Sequence, residues 1–294
     1  MPRSKKGAVR MGWFSKKSGP MSLHERPPVE PDPVQNIAID PEVYRIGLQL
    51  LELARAGKAG MEKGVVAPSG VAVDAAYFRQ LVTYVVPPLV KALNKEPEVE
   101  IQAAMLESLA DCAGVAGECI SEHIAAMIAE FQNTLKQSLA RRAERNKRAA
   151  DEDFDAEEHE ALKEEQAAED EVFDQFAECV GSLLRSLHAP VLPALEPLLQ
   201  EFVAPMLAPD RSPEERRIAI CVFDDVMEHA SDGGASLRYL EGFVGPCLAG
   251  CRDADADVRQ ASVYGVGVMA QALGAAFTPH VPASLAALAA VIQA

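Results

Sequence analysis

"DRSPEERRIAI", Asp210 to Ile220, and "DADADVRQASV", Asp253 to Val263, align at an offset of 43 residues. Asp210 stands over Asp253 and Arg216 over Arg259, so the Asp-to-Arg spacing is six in both. Ile218, Ala219 and Ile220 match Ala261, Ser262 and Val263. A third, weaker copy, "EPEVEIQAAML", begins at Glu96 and has Gln102 where the arginine would stand. Ser212-Pro213-Glu214-Glu215 is a capping box with proline at the first helical position, so this copy opens a helix.

Working outward from these copies, apolar residues recur at three- and four-residue steps and predict helices at about 74–93, 98–113, 119–148, 170–187, 191–207, 213–230, 236–250, 256–273 and 279–293. An earlier helix at about 41–56 starts on the N-cap and first-turn pair Asp40-Pro41. Aromatics are only 5% of the chain, Ala and Leu are abundant, and alternating Val/Ile/Thr runs are scarce. The fold class is therefore all-α. Short connections make successive helices antiparallel neighbours, and a period near 40 built of two helices is the pattern of a HEAT-repeat α-solenoid, a right-handed superhelix of helix pairs. Pro87, Pro88, Pro193, Pro197 and Pro246 are expected to bend the first helix of each pair. An Asp in the turn can cap the second helix or accept hydrogen bonds from its Arg, so Asp210, Arg216, Asp253 and Arg259 form the expected structural ladder.

Residues 1–40 are rich in basic residues, Pro, Gly and Ser without a helical or strand period, and are expected to be a disordered basic tail. The HEAT array is expected over 41–294, with a charged insertion at about 141–171. There Arg141, Arg142, Arg145, Lys147 and Arg148 give way to twelve acids between Asp151 and Glu171. Such a block is either a solvated helical extension with its own i, i+4 pairs or a tethered acidic segment, and its basic half reads as surface. The last helix, "PHVPASLAALAAVIQA", is apolar where a solenoid needs a polar cap, which predicts a stretch of a longer protein.

The 294 residues carry a formal charge of −16. That opposes DNA binding, which requires clustered Lys and Arg, and favours basic partners. Six cysteines without a CxxC pair indicate a reducing compartment. The absence of a secretory signal, and of any apolar run near the roughly 20 residues of a bilayer span, predicts no membrane insertion.

Candidate chemistry centres on "CVFDDVMEHA", Cys221 to Ala230. At 100° per residue, Ile218, Ala219, Val222, Phe223, Val226, Met227 and Ala230 fill an apolar arc. Arg217, Cys221, Asp224 and Glu228 lie opposite, with Asp225 at the edge. Both aspartates are thus expected outside the core. Shifted by 43, the stripe becomes Gln260, Tyr264, Gly267 and Gln271, so the same face recurs. Second helices line the inner side of a HEAT solenoid, which makes Arg217, Asp224, Asp225, Glu228, Gln260, Tyr264 and Gln271 candidate residues of a binding surface, with no catalytic or metal role and no cofactor. Asp224 and Glu228 could offer a metal two oxygens, which is too few. Cys119 and His123 lack a second pair for zinc. No nucleophile elbow, phosphate loop or HExxH motif supports an enzyme. A HEAT array with such a surface also suits a scaffold for complex assembly.

"SPEERRIAICVFDDVMEHAS" with "VRQASVYGVGVMAQ" resembles the importin-beta superfamily of nuclear transport receptors, closest to the importin-five (karyopherin beta-three) branch. "LNKEPEVEIQAAMLESLADCAG" and the acidic insertion before "VFDQFAECVGSLLRSLHAPVLPALEPLL" resemble the same branch in the same order, over about residues 75–294. The resemblance implies HEAT superhelices that shuttle between cytoplasm and nucleus. It also implies binding of basic cargo such as ribosomal proteins or histones, nuclear pore proteins as partners, and cargo release when the Ran GTPase binds.

Overall fold

Residues 75–149 and 156–293 are described by a computed structural model, and they form helices and turns without a strand. The tail at 1–40 and the helix expected at 41–56 lie outside the described residues. The helices are α1 (Ala75–Leu93), α2 (Val99–Ala116), α3 (Ile124–Ala149), α4 (Ala156–Leu187), α5 (Leu192–Leu198), α6 (Ala204–Met206), α7 (Pro213–His229), α8 (Leu237–Gly250), α9 (Ala256–Leu273) and α10 (Val281–Gln293). Between α5 and α6 the helix runs on as a π turn, Leu199–Val203. Pro197 and Pro205 cannot donate to the helical ladder, and the loosened stretch between them is where the wider turn forms.

Local sequence sets the ends of these helices. Ser212 accepts from the Glu215 amide while the Glu215 carboxylate accepts from the Ser212 amide, so the capping box is complete. The α9 cap is Asp255, whose side chain accepts from the amides of Asp257 and Val258. Gly117 and Gly274 end α2 and α9 with φ of 53° and 48°, a region that only glycine enters without penalty.

The second helices α2, α4, α7 and α9 pack side by side in that order, and each first helix packs against the second helix of its own pair. This is the stacked-pair architecture of a HEAT array. One apolar core runs along the stack. Phe131 meets Phe176 edge-on at 6.0 Å, and Phe223 stacks on Phe243 at 5.3 Å. Equivalent positions touch across the period, since Arg217 pairs with Asp174 and the Tyr239 hydroxyl donates to Glu196, each 43 residues apart. The ladder forms one rung between repeats: Arg216 Nε and Nη2 donate to the Asp253 carboxylate at 3.0 and 2.9 Å. Arg259 instead donates to the backbone oxygens of Asp253 and Ala254, and Asp210 is exposed, outside the rung.

The charged insertion departs from expectation. Its described acidic half, from Ala156, is the first half of α4 and folds back along the basic end of α3. Glu169, 1% exposed, takes hydrogen bonds from Ser138 and Arg141 and lies 3.5 Å from Arg145 Nη1. Arg142 pairs with Asp170 at 2.5 Å and lies over the Phe173 ring at 4.2 Å, while Arg148 pairs with Glu165. The basic end of α3 and the acidic start of α4 thus lie side by side and neutralise each other. Arg142 and Arg145 are accordingly buried and are not surface.

By length and composition two stretches, 99–149 and 256–293, are apolar enough to cross a bilayer. Both are interrupted by 3-10 turns, at Gly117–His123 and Gly274–His280. Within them α2 and α9 keep their acids on one exposed stripe and pack with their other sides.

Candidate functional site

A second helix in this array touches three neighbours: its first helix and one second helix on each flank. Only a narrow stripe is left for solvent. On α9 that stripe is Asp257, Gln260, Tyr264, Gly267 and Gln271, all exposed. On α7 it is Glu214, Arg217, Cys221 and Glu228, of which Glu228 is exposed and the others are half-buried. The two aspartates do not belong to it. Asp224 and Asp225 are each 1% exposed, which corrects the expectation that they lie outside the core. A helical wheel resolves the side packed on the first helix, whereas Asp225 is covered by α4 and Asp224 by α9.

Each aspartate fits because the neighbouring helix has glycine at the contact. A methyl group at Gly181 on α4 would clash with Asp225 Oδ2, and one at Gly265 on α9 would clash with Asp224 Oδ1. Asp225 Oδ1 lies 3.5 Å from His229 Nε2 and 4.0 Å from Arg185 Nη1. Neither oxygen of Asp224 has a hydrogen-bond partner. Burial therefore pushes the Asp224 carboxyl well above the usual carboxylate range, helped by the charges of Asp225 and Glu228. Burial also raises Asp225, to about 6, against the opposing pull of His229 and Arg185.

Gly265→Ala is expected to destabilise the fold by about 1–3 kcal/mol through this clash, despite the ~0.5–1 kcal/mol that alanine gains over glycine inside a helix. Thermal unfolding of Gly265→Ala alone and with Asp224→Ala checks it. The double variant should recover most of the loss.

On this stripe Arg217 is held by Asp174 at 2.6 Å, so its charge is neutralised there. The Tyr264 hydroxyl donates to Glu228 Oε2 at 2.8 Å, joining α9 to α7. Gln260 and Gln271 stand free of these contacts on the α9 stripe. The structure thus brings Glu228 and Tyr264 together and seals Asp224 and Asp225 into the seams beside them. One set of residues escaped the sequence reading: Glu171, Glu214 and Asp257 occupy the same register at successive offsets of 43, and place an acid on α4, α7 and α9 in turn. Glu171 and Asp257 are exposed and Glu214 is half-buried. The period that aligned Arg216 with Arg259 also aligns these three. Among the described residues, no group of three or more His, Cys, Asp or Glu is placed to hold a metal ion.

Residues 101–208 match the family described as importin repeat 6. Among solved structures, a crystal structure of a Kap121p mutant with three acid-to-lysine substitutions superposes with a TM-score of 0.62 at 20% identity, covering 74% of this chain and 19% of that one. Kap121p bound to Nup53p gives 0.62 at 17% identity, covering 85% and 24%. Kap121p bound to RanGTP gives 0.56 at 17% identity, covering 81% and 23%. The chain thus spans between 19% and 24% of the length of these structures, and at such identities the superposition speaks for the fold. The stacked helix pairs and the superposition on Kap121p together give this chain the fold of a HEAT-repeat solenoid, and within it residues 101–208 resemble importin repeat 6.

Proposed function

We propose that this chain is a segment of a nuclear transport receptor that holds basic cargo proteins against its acidic inner stripe. The observation that carries the reading is the in-register row Glu171, Glu214 and Asp257, one acid per repeat on three adjacent second helices. Glu228 and the polar groups of Gln260, Tyr264 and Gln271 extend it, while Arg217 is internally neutralised. A row of like charges at a regular spacing suits an extended Lys/Arg-rich segment, because attraction acts along its length and needs no single deep pocket. Basic cargo such as ribosomal proteins or histones fits this chemistry. Solved Kap121p complexes contain Nup53p and RanGTP, so nuclear pore proteins and Ran are the further partners of the reading, with shuttling between cytoplasm and nucleus as the localisation.

The test is binding of a fluorescent oligolysine peptide, followed by anisotropy across a salt series. The Glu171→Lys, Glu214→Lys, Asp257→Lys triple variant should bind at least about tenfold more weakly and with a flatter salt dependence. Unchanged affinity and slope would remove the row from the function.

A further inference from the structure

We infer that the seam between α7 and α9 is a latent slot for a single lysine or arginine side chain of the bound partner, with the Asp224 carboxylate as its floor and the Tyr264–Glu228 hydrogen bond as its latch. The inference rests on the cargo-binding reading above and names the residue on which it turns.

Asp224 is the least explained group in the described structure. A buried carboxyl is normally held by donors, yet both of its oxygens lack a partner while the side chain is 1% exposed. Neighbouring helices do not supply what it lacks. Its other ionisable neighbours are Asp225, Glu228 and Cys221 on α7, Cys247 on α8 and Tyr264 on α9. All are acids, so among the described residues no cation reaches it. Arg185 on α4 lies on the opposite flank, against Asp225, and is paired with Glu178.

Gly265 lies directly against the carboxylate, and a side chain built at Gly267, next on the stripe, would meet open space. Tyr264, next to Gly265 in the chain and 39% exposed, is anchored on this seam by its hydroxyl bond to Glu228. Glu228 lies one turn after Asp224 on the same face of α7. A cation drawn in by Glu228 competes with the phenol for that carboxylate. Once the phenol swings away, the ammonium or guanidinium bridges Glu228 and Asp224, and Asp224 gives up its proton to solvent as it ionises. Charge balances in this exchange, since one cation enters and one proton leaves. Binding through the slot therefore tightens as pH rises.

The experiment uses the full chain and the oligolysine probe, with circular dichroism to establish that each variant is folded. Asp224→Asn, which keeps the shape and removes the charge, should weaken binding about tenfold and flatten its pH dependence. Tyr264→Phe, which frees Glu228 without touching Asp224, should strengthen it about threefold. If oligolysine binds and responds to the Glu171, Glu214, Asp257 triple variant while Asp224→Asn and Tyr264→Phe match the unmodified chain at every pH, the slot is overturned and the acidic row stands. If the unmodified chain does not bind oligolysine, the cargo reading falls and the slot falls with it. Free spermidine competing at the slot as well as the peptide does would show a general cation site and overturn the assignment to a partner side chain.

Discussion

Replacing Glu169 with alanine is expected to cost about 3–5 kcal/mol of stability, because it leaves charge buried without a partner. Arg145 and Ser138 are buried beside it and Arg141 is half-buried, and each makes a contact to this one carboxylate. Burial already pulls the Arg145 guanidinium below its ordinary pKa, and the Glu169 charge opposes that pull. Without the carboxylate, Arg145 must either reach solvent or break the packing of α3 on α4. Glu169→Gln should cost less, since an amide oxygen still accepts from Arg141 or Ser138. Removing the exposed Arg148–Glu165 pair with Arg148→Ala should cost only about 0–1 kcal/mol. Urea unfolding followed by helical circular dichroism measures all three. A Glu169→Ala loss no larger than that of Arg148→Ala would show that α3 and α4 are held together by their apolar contacts alone.

The second large effect lies on the pH axis. In the folded chain Asp225 keeps its proton up to about pH 6, whereas the ordinary value for an aspartate is 3.8. Between those values the folded state binds more protons than the unfolded state, so the contribution to stability is full below about pH 4 and is lost as pH rises through about 6. A rise of about two pKa units corresponds to about 3 kcal/mol. Asp224 acts in the same direction. In Asp225→Asn the titration is gone, so its stability relative to the unmodified chain should climb between about pH 4 and 6 and then level off. Arg185 and His229 stay in place to interact with the amide, and Glu178 remains paired with Arg185. Chemical unfolding at intervals of pH measures the difference, and parallel curves for the two proteins would refute it.

These effects come from the part of the molecule that was hardest to read in advance. Helix positions were legible because the apolar spacing and caps are local: α9 runs over 256–273 as expected, and the Ser212–Glu215 box closes as its residues suggest. The 43-residue period carried the rest of the architecture, including Arg216 reaching the Asp253 carboxylate of the following repeat. What the chain hides is the second neighbour. Asp224 and Asp225 fall on the polar side of a helical wheel, and only the flanking helices, through Gly181 and Gly265, turn that side into interior. Likewise the basic run at 141–148 reads as surface until α4 is placed beside it, since Arg142 and Asp170 are 28 residues apart and no local rule pairs them.

Each second helix meets one second helix on either flank, so a pull on the ends of the array passes through every seam in turn. The seams on either side of α7 are bridged by polar links, Asp174 to Arg217 on one side, Arg216 to Asp253 and Glu228 to Tyr264 on the other. Such links break and reform against water at little net cost, unlike the apolar layer beneath them. Stretching the array would therefore part these polar bridges before the apolar layer beneath them.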